Sequence, residues 1–297
     1  METKTVIALG FFDGVHMGHG ALLRMAVRRA QEKSCRSAAF TFDRSPREFV
    51  TGKPVPLLTT PAERAGIIRT QYGVEDVFVE PFDKTMMTMP WEDFISGLLV
   101  KKYHAAHLVA GHDFRFGHRN EGDVEKLRSY CAANGLGCDI IPRVELDGVT
   151  VSSSYIRTLL EAGEVARAAK FLGHPFSMEG TVRHGDGIGA KRLFPTANLI
   201  PEEHLLIPAR GVYATRAYLP GGEIRVGVTN VGVRPTVSEA NRVSVETYLV
   251  DYEGDLYGKP LRLDFCEYLR PERRFASTQE LHDMIARNAR EAAEIVR

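Results

Sequence analysis

The sequence has almost no charge bias: Lys plus Arg and Asp plus Glu balance at 38 each over 297 residues. Without a net basic field, nucleic acid is not an expected partner, and local arginine clusters read as solvated helix faces. The four cysteines, Cys35, Cys131, Cys138 and Cys266, form no C-x-x-C pair. That argues against a zinc site or a disulfide framework and for a reducing, cytoplasmic setting. No apolar run approaches membrane-spanning length, and the N-terminus passes straight into a strand without a signal segment, so no membrane partner is expected. What is present is a 44% hydrophobic chain long enough for two modest domains.

The most informative stretch comes first. Val6-Ile7-Ala8-Leu9 has the composition of a buried parallel strand and runs into Gly10-Phe11-Phe12-Asp13-Gly14-Val15-His16-Met17-Gly18-His19. From Gly20 onward Leu22, Leu23, Ala26, Val27 and Ala30 recur at helical spacing. Strand, glycine-rich turn and helix together aim backbone N–H groups and a helix dipole at one spot, where a phosphate can sit. The stretch is neither G-x-x-x-x-G-K-[ST] nor G-x-G-x-x-G. His16 and His19, three apart, can face the same anion from one helical turn, although a single histidine at a helix start is as often a cap. H-x-G-H after a strand and an F-D-G turn resembles the signature of the nucleotidylyltransferase superfamily, whose histidines contact ATP phosphates.

Strands and helices alternate beyond it. Ser37–Phe42, Val77–Val79, His107–Ala110 and Cys138–Ile141 read as strands; Trp91–Val100 and Val124–Ala133 read as helices, and Thr59-Thr60-Pro61-Ala62-Glu63 as a capped helix start. Pro46 reads as extended or turn. Repeated β-α units predict a parallel sheet that binds ligands beyond the carboxyl ends of its strands. Gly111-His112-Asp113-Phe114-Arg115-Phe116-Gly117 follows such an end. Phe114 and Phe116 alternate around Arg115, which suits stacking on a flat heterocycle as well as packing under a turn. In Val151-Ser152-Ser153-Ser154-Tyr155-Ile156-Arg157 the serines suit an N-cap, and Arg157 in a first helical turn calls for an anionic partner such as a triphosphate.

Near Gly173-His174-Pro175 the pattern changes. Strands are predicted at Phe176–Val182, Gly211–Tyr218, Ile224–Asn230, Val243–Val250 and Arg262–Leu269, forming an antiparallel barrel or sandwich, and Ser277-Thr278-Gln279-Glu280 opens a last helix as a capping box. The expected division is 1–174 and 175–297. Gly185, Gly187 and Gly189 suit a phosphate-covering loop or a plain turn. Thr196 and Asn198, in Phe194-Pro195-Thr196-Ala197-Asn198, are neutral oxygen donors of the kind Mg²⁺ uses when phosphates supply the charge. Glu246 lies mid-strand, opposite the Val243, Val245, Leu249 face: by period it faces solvent, while at a rim it can act as a general base.

Taken together, G-F-F-D-G-V-H-M-G-H, G-H-D-F-R-F-G, V-S-S-S-Y-I-R, F-P-T-A-N, G-V-T-N-V-G-V-R-P-T, V-E-T, G-D-L-Y-G and L-R-P-E-R-R-F span nearly the whole chain. In that order they resemble the bacterial bifunctional riboflavin kinase and FMN adenylyltransferase family, the prokaryotic FAD synthetases. The resemblance implies a Rossmann-like nucleotidylyltransferase domain with a parallel sheet, followed by an antiparallel β-barrel riboflavin kinase domain with a terminal helix. The barrel would phosphorylate riboflavin with ATP, Thr196 and Asn198 holding Mg²⁺ and Glu246 acting as base.

The first domain would then join FMN to a second ATP, giving FAD and pyrophosphate. His16 and His19 would be catalytic there. Gly10, Phe12, Asp13, Gly14, Gly18, Ser153, Ser154 and Arg157 would bind nucleotide phosphates, as would Gly185 and Gly189 in the barrel. Asp113, Phe114, Phe116 and Arg270 would meet flavin. A monomer or weak homo-oligomer is expected. Ala190, Arg192 and Leu193, before Thr196, depart from the family pattern, which motivates the alternative of a flavin-binding or regulatory relative lacking the kinase activity; Ser45 stands where the family commonly has histidine, a departure in the first domain.

Overall fold

A computed structural model describes residues 3–183, 196–233, 243–273 and 275–296. The chain divides into two compact units, Met1–Ser153 and Ser154–Arg297.

In the first unit β1 (Thr5–Leu9), α1 (Met17–Lys33), β2 (Arg36–Phe42), α2 (Pro46–Thr51), α3 (Pro61–Tyr72) and β3 (Asp76–Glu80) follow one another. After them come α4 (Lys84–Thr88), α5 (Trp91–Asp93), β4 (Ala105–Gly111), α6 (Val124–Ala133) and β5 (Gly137–Ile141). A small hairpin, β6 (Glu145–Leu146) and β7 (Val149–Thr150), completes the unit. All five long strands are parallel in the order β3-β2-β1-β4-β5. The chain therefore leaves β1 towards one edge and returns on its other side at β4. This reversal makes the carboxyl ends of β1 and β4 the switch point of the sheet.

Every residue of β1 is buried, as its apolar run requires of a central strand with helices on both faces. One face packs Ile7, Leu9, Phe40 and Leu108 against Phe94, Ile95, Leu98 and Leu99; the other packs Val6, Ala8 and Val109 against Leu22, Leu23 and Ala26 of α1.

Three local outcomes bear on the sequence reading. Pro46 opens α2 instead of breaking the chain, because the extended conformation that a proline imposes on its predecessor suits an N-cap: Ser45 has φ −65° and ψ 118° and accepts from the Glu48 amide. The helix from Trp91 continues as the wide π-type turn Phe94–Lys102, with the Tyr103 amide bonding the Leu98 carbonyl. Thr60 and Glu63, as expected of a capped start, form the reciprocal capping box at α3.

The second unit opens with α7 (Ser153–Glu161), whose first residue is the last of the first unit, and α8 (Val165–Leu172), an amphipathic helix, burying Val165, Ala168, Phe171 and Leu172, that is not among the predicted elements. It continues through β8 (Phe176–Arg183), β9 (Thr196–Pro201), β10 (Gly211–Tyr218), β11 (Ile224–Val233), β12 (Val243–Leu249), β13 (Pro260–Arg270) and α9 (Thr278–Ile295). The strands close a barrel, β10-β11-β12-β9-β8-β13, so the barrel form of the two expected is the one adopted.

The barrel interior holds Met178, Tyr213, Val231, Val245, Leu263 and Phe265. It also holds a threonine chain, Thr215 to Thr229 at 2.8 Å and Thr229 to Thr247 at 2.9 Å, which satisfies these three buried hydroxyls within the core. Outside, α9 lays Ala292 and Val296 over Val212, Ala214 and Val228. Ser277 caps α9 through the Glu280 amide, but the Glu280 carboxylate bonds Arg273 and the Ala276 amide, so the box is not the reciprocal one predicted.

Candidate functional sites

Each unit gathers its own polar cluster. In the first, Gly10 ends β1 by donating its amide to the Phe40 carbonyl at 3.2 Å, and the chain then turns sharply. Phe12 and Val15 take left-handed backbone at φ 56° and 40°, costly for residues with side chains, and Gly14 takes φ 78°. Asp13 holds the turn in place. Its Oδ1 accepts the Leu58 amide at 2.9 Å and the Thr59 amide at 3.2 Å, and its carbonyl accepts the Ser153 hydroxyl at 2.9 Å. The Gly14 amide donates to the Thr59 hydroxyl at 3.0 Å, a second tie to the same segment.

His16 caps α1, its Nδ1 accepting the His19 amide at 3.2 Å. The two imidazoles stack with centroids 3.6 Å apart, and His19 also meets Phe12 edge-on. Gly18 makes this possible, since a Cβ there would lie 3.1 Å from the His16 ring. Thus His16 and His19 are brought together at a helix N-terminus, where first-turn amides lack partners within the helix. Burial holds His19 well below the ordinary imidazole range, and the neighbouring His16 and Arg64 add to the effect. An uncharged imidazole there can donate to an anion without bringing a counterion.

The second predicted loop follows β4, the neighbour of β1, so both motifs lie at the switch point. Asp113 is largely exposed. Phe114 and Phe116 do fall on one side and stack at 5.4 Å, but Phe116 is buried in the core against Phe94, leaving the half-buried Phe114 as the outer ring. Ser153 begins α7, with exposed Ser154 next to it and half-buried Arg157 one turn on.

One charged residue of this unit escapes a reading of the sequence. Arg64 on α3 looks like one more solvated arginine, yet it is fully buried. Its place in a first helical turn, the criterion that singles out Arg157, is the available signal.

On the barrel, the cluster is laid out by strand register. Glu246 of β12 pairs with Asn198 of β9 on one side and Asn230 of β11 on the other. Directly opposed residues point to the same face, so the three side chains form a row. The row lies outside the barrel, since Val245 and Thr247 on either side of Glu246 are buried within it. Period alone places Glu246 on this face correctly, yet the face is not open solvent: Tyr248 on it packs under α9, and Glu246 is half-buried.

Thr196 lies two residues from Asn198, whose amide nitrogen approaches the Thr196 carbonyl at 3.5 Å. Asn230, inconspicuous in the sequence because it sits in a plain strand, donates to Glu272 at 3.0 Å. Arg270 ends β13 and donates to Asn288 of α9 at 3.0 Å, with its guanidinium over the Phe275 ring. Burial, then the nearby Arg273, lowers its pKa. Gly185 and Gly189, with Ala190, Arg192 and Leu193, lie outside the described residues.

Thr196 and Asn198 offer neutral hard oxygens, a donor pair that fits a Mg²⁺ taking its remaining ligands from phosphates and water, with Glu246 beside Asn198 on the same face. Among the described residues no group of three or more His, Cys, Asp or Glu is arranged to hold a metal by itself. None of the described helices is long and apolar enough to cross a membrane.

Comparison with known proteins likewise finds two parts in the chain. A family model described as FAD synthetase matches residues 1–155, and one described as riboflavin kinase matches residues 172–296. The bifunctional riboflavin kinase/FMN adenylyltransferase of Escherichia coli K12 is 37% identical over 97% of this chain and 92% of its own length. The Listeria monocytogenes protein of the same name is 33% identical over 94% and 88%. A crystal structure from Streptococcus pneumoniae, described as a macrolide-efflux protein, superposes with a TM-score of 0.88 at 27% identity, covering 99% of this chain and 95% of that one.

Proposed function

Because the chain belongs to the bifunctional riboflavin kinase/FMN adenylyltransferase family, we propose how its two sites divide the work. The protein makes FMN from riboflavin and ATP, then FAD and pyrophosphate from FMN and a second ATP. The observation that carries the division is that each family match falls on a fold unit with its own polar cluster. The functional boundary is placed after His174, one residue beyond Gly173, which ends α8 at φ 84°.

On the barrel, Glu246 takes the proton of the riboflavin hydroxyl whose oxygen attacks the γ-phosphorus of ATP, while ADP leaves. Its place in register between Asn198 and Asn230 supports this, since neither neighbour carries a charge that would neutralise the carboxylate. Thr196 and Asn198 would hold Mg²⁺, which when bound offsets the phosphate charge. Arg270, tethered to Asn288, forms the flavin end of the site.

In the first unit an FMN phosphate oxygen attacks the α-phosphorus of ATP and pyrophosphate departs, so no covalent enzyme intermediate is needed. His16, His19 and the first amides of α1 receive the charge that builds on the phosphates, with Ser153, Ser154 and Arg157 as further phosphate-binding residues. Asp13 and the strained turn fix these donors in advance, which is how positioning becomes rate. Asp113 and Phe114 form the flavin side, with Phe116 as the buried support of the Phe114 ring. The four free thiols suit a reducing cytoplasm, and a monomer or weak homo-oligomer suffices.

The test is flavin chromatography after incubation with Mg²⁺ and ATP, started once from riboflavin and once from FMN. Both products are expected from riboflavin. FAD from FMN with no FMN from riboflavin would overturn the barrel assignment.

A further inference from the structure

Arg64 has no solvent exposure. Nη1 donates to the Thr41 hydroxyl at 3.1 Å and to the Phe42 carbonyl at 2.9 Å, and the guanidinium lies 4.2 Å from the centre of the Phe11 ring. Nε and Nη2 are buried with no hydrogen-bond partner. Among the described residues no carboxylate forms an ion pair with it. The acid whose field reaches it is Asp13, and that carboxylate is engaged by the Leu58 and Thr59 amides. Burial brings its pKa down to about 10, which leaves it charged at neutral pH.

An arginine kept only to support the fold would be neutralised, because a buried and unpaired charge costs several kcal/mol. This one lies directly behind the first loop. The Thr41 hydroxyl that accepts from Arg64 itself donates to the Phe11 carbonyl at 2.7 Å, and the charge is near enough to disfavour a proton on His19. The path between them runs through the protein interior, where charge is weakly screened, so its field at the loop is strong.

We propose that Arg64 is a positioning residue for adenylyl transfer: a cation sealed behind the Phe11–His19 loop, whose missing counter-charge is the polyphosphate of the bound nucleotide. This rests on reading that loop as the adenylyltransferase site. The free protein tolerates the buried charge, and the nucleotide relieves it. Negative charge gathering on the α-phosphate and departing pyrophosphate then meets a fixed cation that need not reorganise.

The experiment measures kcat and KM for ATP in FMN adenylylation by the full chain, comparing wild type with Arg64→Met, Arg64→Lys and His19→Ala. Riboflavin phosphorylation by the same preparations serves as internal control. Arg64→Met is expected to raise KM for ATP at least tenfold, Arg64→Lys to recover to within about threefold of wild type, and phosphorylation to stay within twofold. Lysine keeps the charge but not the planar fork that grips Thr41 and Phe42, so it separates charge from architecture.

Arg64→Met within twofold of wild type in both parameters would overturn the proposal, as would Arg64→Lys being as impaired as Arg64→Met. If the methionine variant does not fold, Arg64→Gln against Arg64→Lys draws the same distinction. A His19→Ala enzyme at wild-type rate would instead sink the loop assignment on which the inference stands.

Discussion

The first unit carries its candidate site on loops beyond the ends of strands, and the barrel carries its own on the strands themselves. In the parallel sheet the central strand β1 is buried on both faces and has no side chains to spare, so the candidate polar groups collect where β1 and β4 release the chain. A closed antiparallel barrel needs only its inner face for the core. Its outer face is available, and Asn198, Glu246 and Asn230 occupy it in register. The loop site draws its rigidity from strain and the Asp13 anchor, whereas the barrel site inherits rigidity from the hydrogen-bond ladder.

If the two sites are independent, Glu246→Gln should lower riboflavin phosphorylation by about 10²–10⁴-fold, the usual worth of a positioned base. FMN adenylylation should be unchanged, and chromatography from each starting flavin reads both; equal loss of the two would break the comparison. His19→Ala should invert the pattern, lowering adenylylation about 10²-fold, at the lower end of what one electrostatic donor supplies, with phosphorylation intact by the same assay.

Asp13→Ala sharpens the contrast in rigidity. Two buried amides lose their acceptor, so the first unit should lose about 2–6 kcal/mol, since each orphaned donor costs roughly 1–3 kcal/mol. Hydrogen exchange of the β1 and β4 amides would register it.

The smallest effect concerns pH. Burial holds both His19 and His107 below the ordinary imidazole range. As pH falls through about 6.5 the unfolded chain takes up protons that the folded unit refuses. Stability present above that pH is then lost progressively towards the lower folded-state values. Protection factors of the same amides, corrected for the intrinsic pH dependence of exchange, should fall between pH 7 and 5, and unchanged factors would show that neither ring is sealed.

Much of this is legible in the sequence because each signal is local. The apolar run Val6–Leu9, the Thr60-Pro61-Glu63 helix start and the Gly211–Tyr218 strand each carry their own instruction. The motif residues are legible through resemblance, and H-x-G-H also through the chemistry of a helix N-terminus. What escapes depends on neighbours distant in sequence. Asn230 gains meaning only from the register that sets it beside Glu246. Arg64 reads as one more helix arginine until the Phe11 ring closes over it. Glu246 is ambiguous because period gives the face of a strand but not what covers that face. Pro46 misleads because the conformation it imposes serves a turn and an N-cap alike.

The register of β12 also bears on which genetic changes each half can absorb. Side chains alternate inside and outside along a strand, so inserting or deleting one residue between Ser244 and Glu246 would turn Glu246 into the barrel interior and send a core residue out. A single codon gained or lost there would cost both the proposed base and the fold. In the first unit a codon added within the loop after Gly111 leaves every strand pairing in phase. A length change there would move Asp113 and Phe114 but spare the sheet, whereas in β12 it would cost site and fold together.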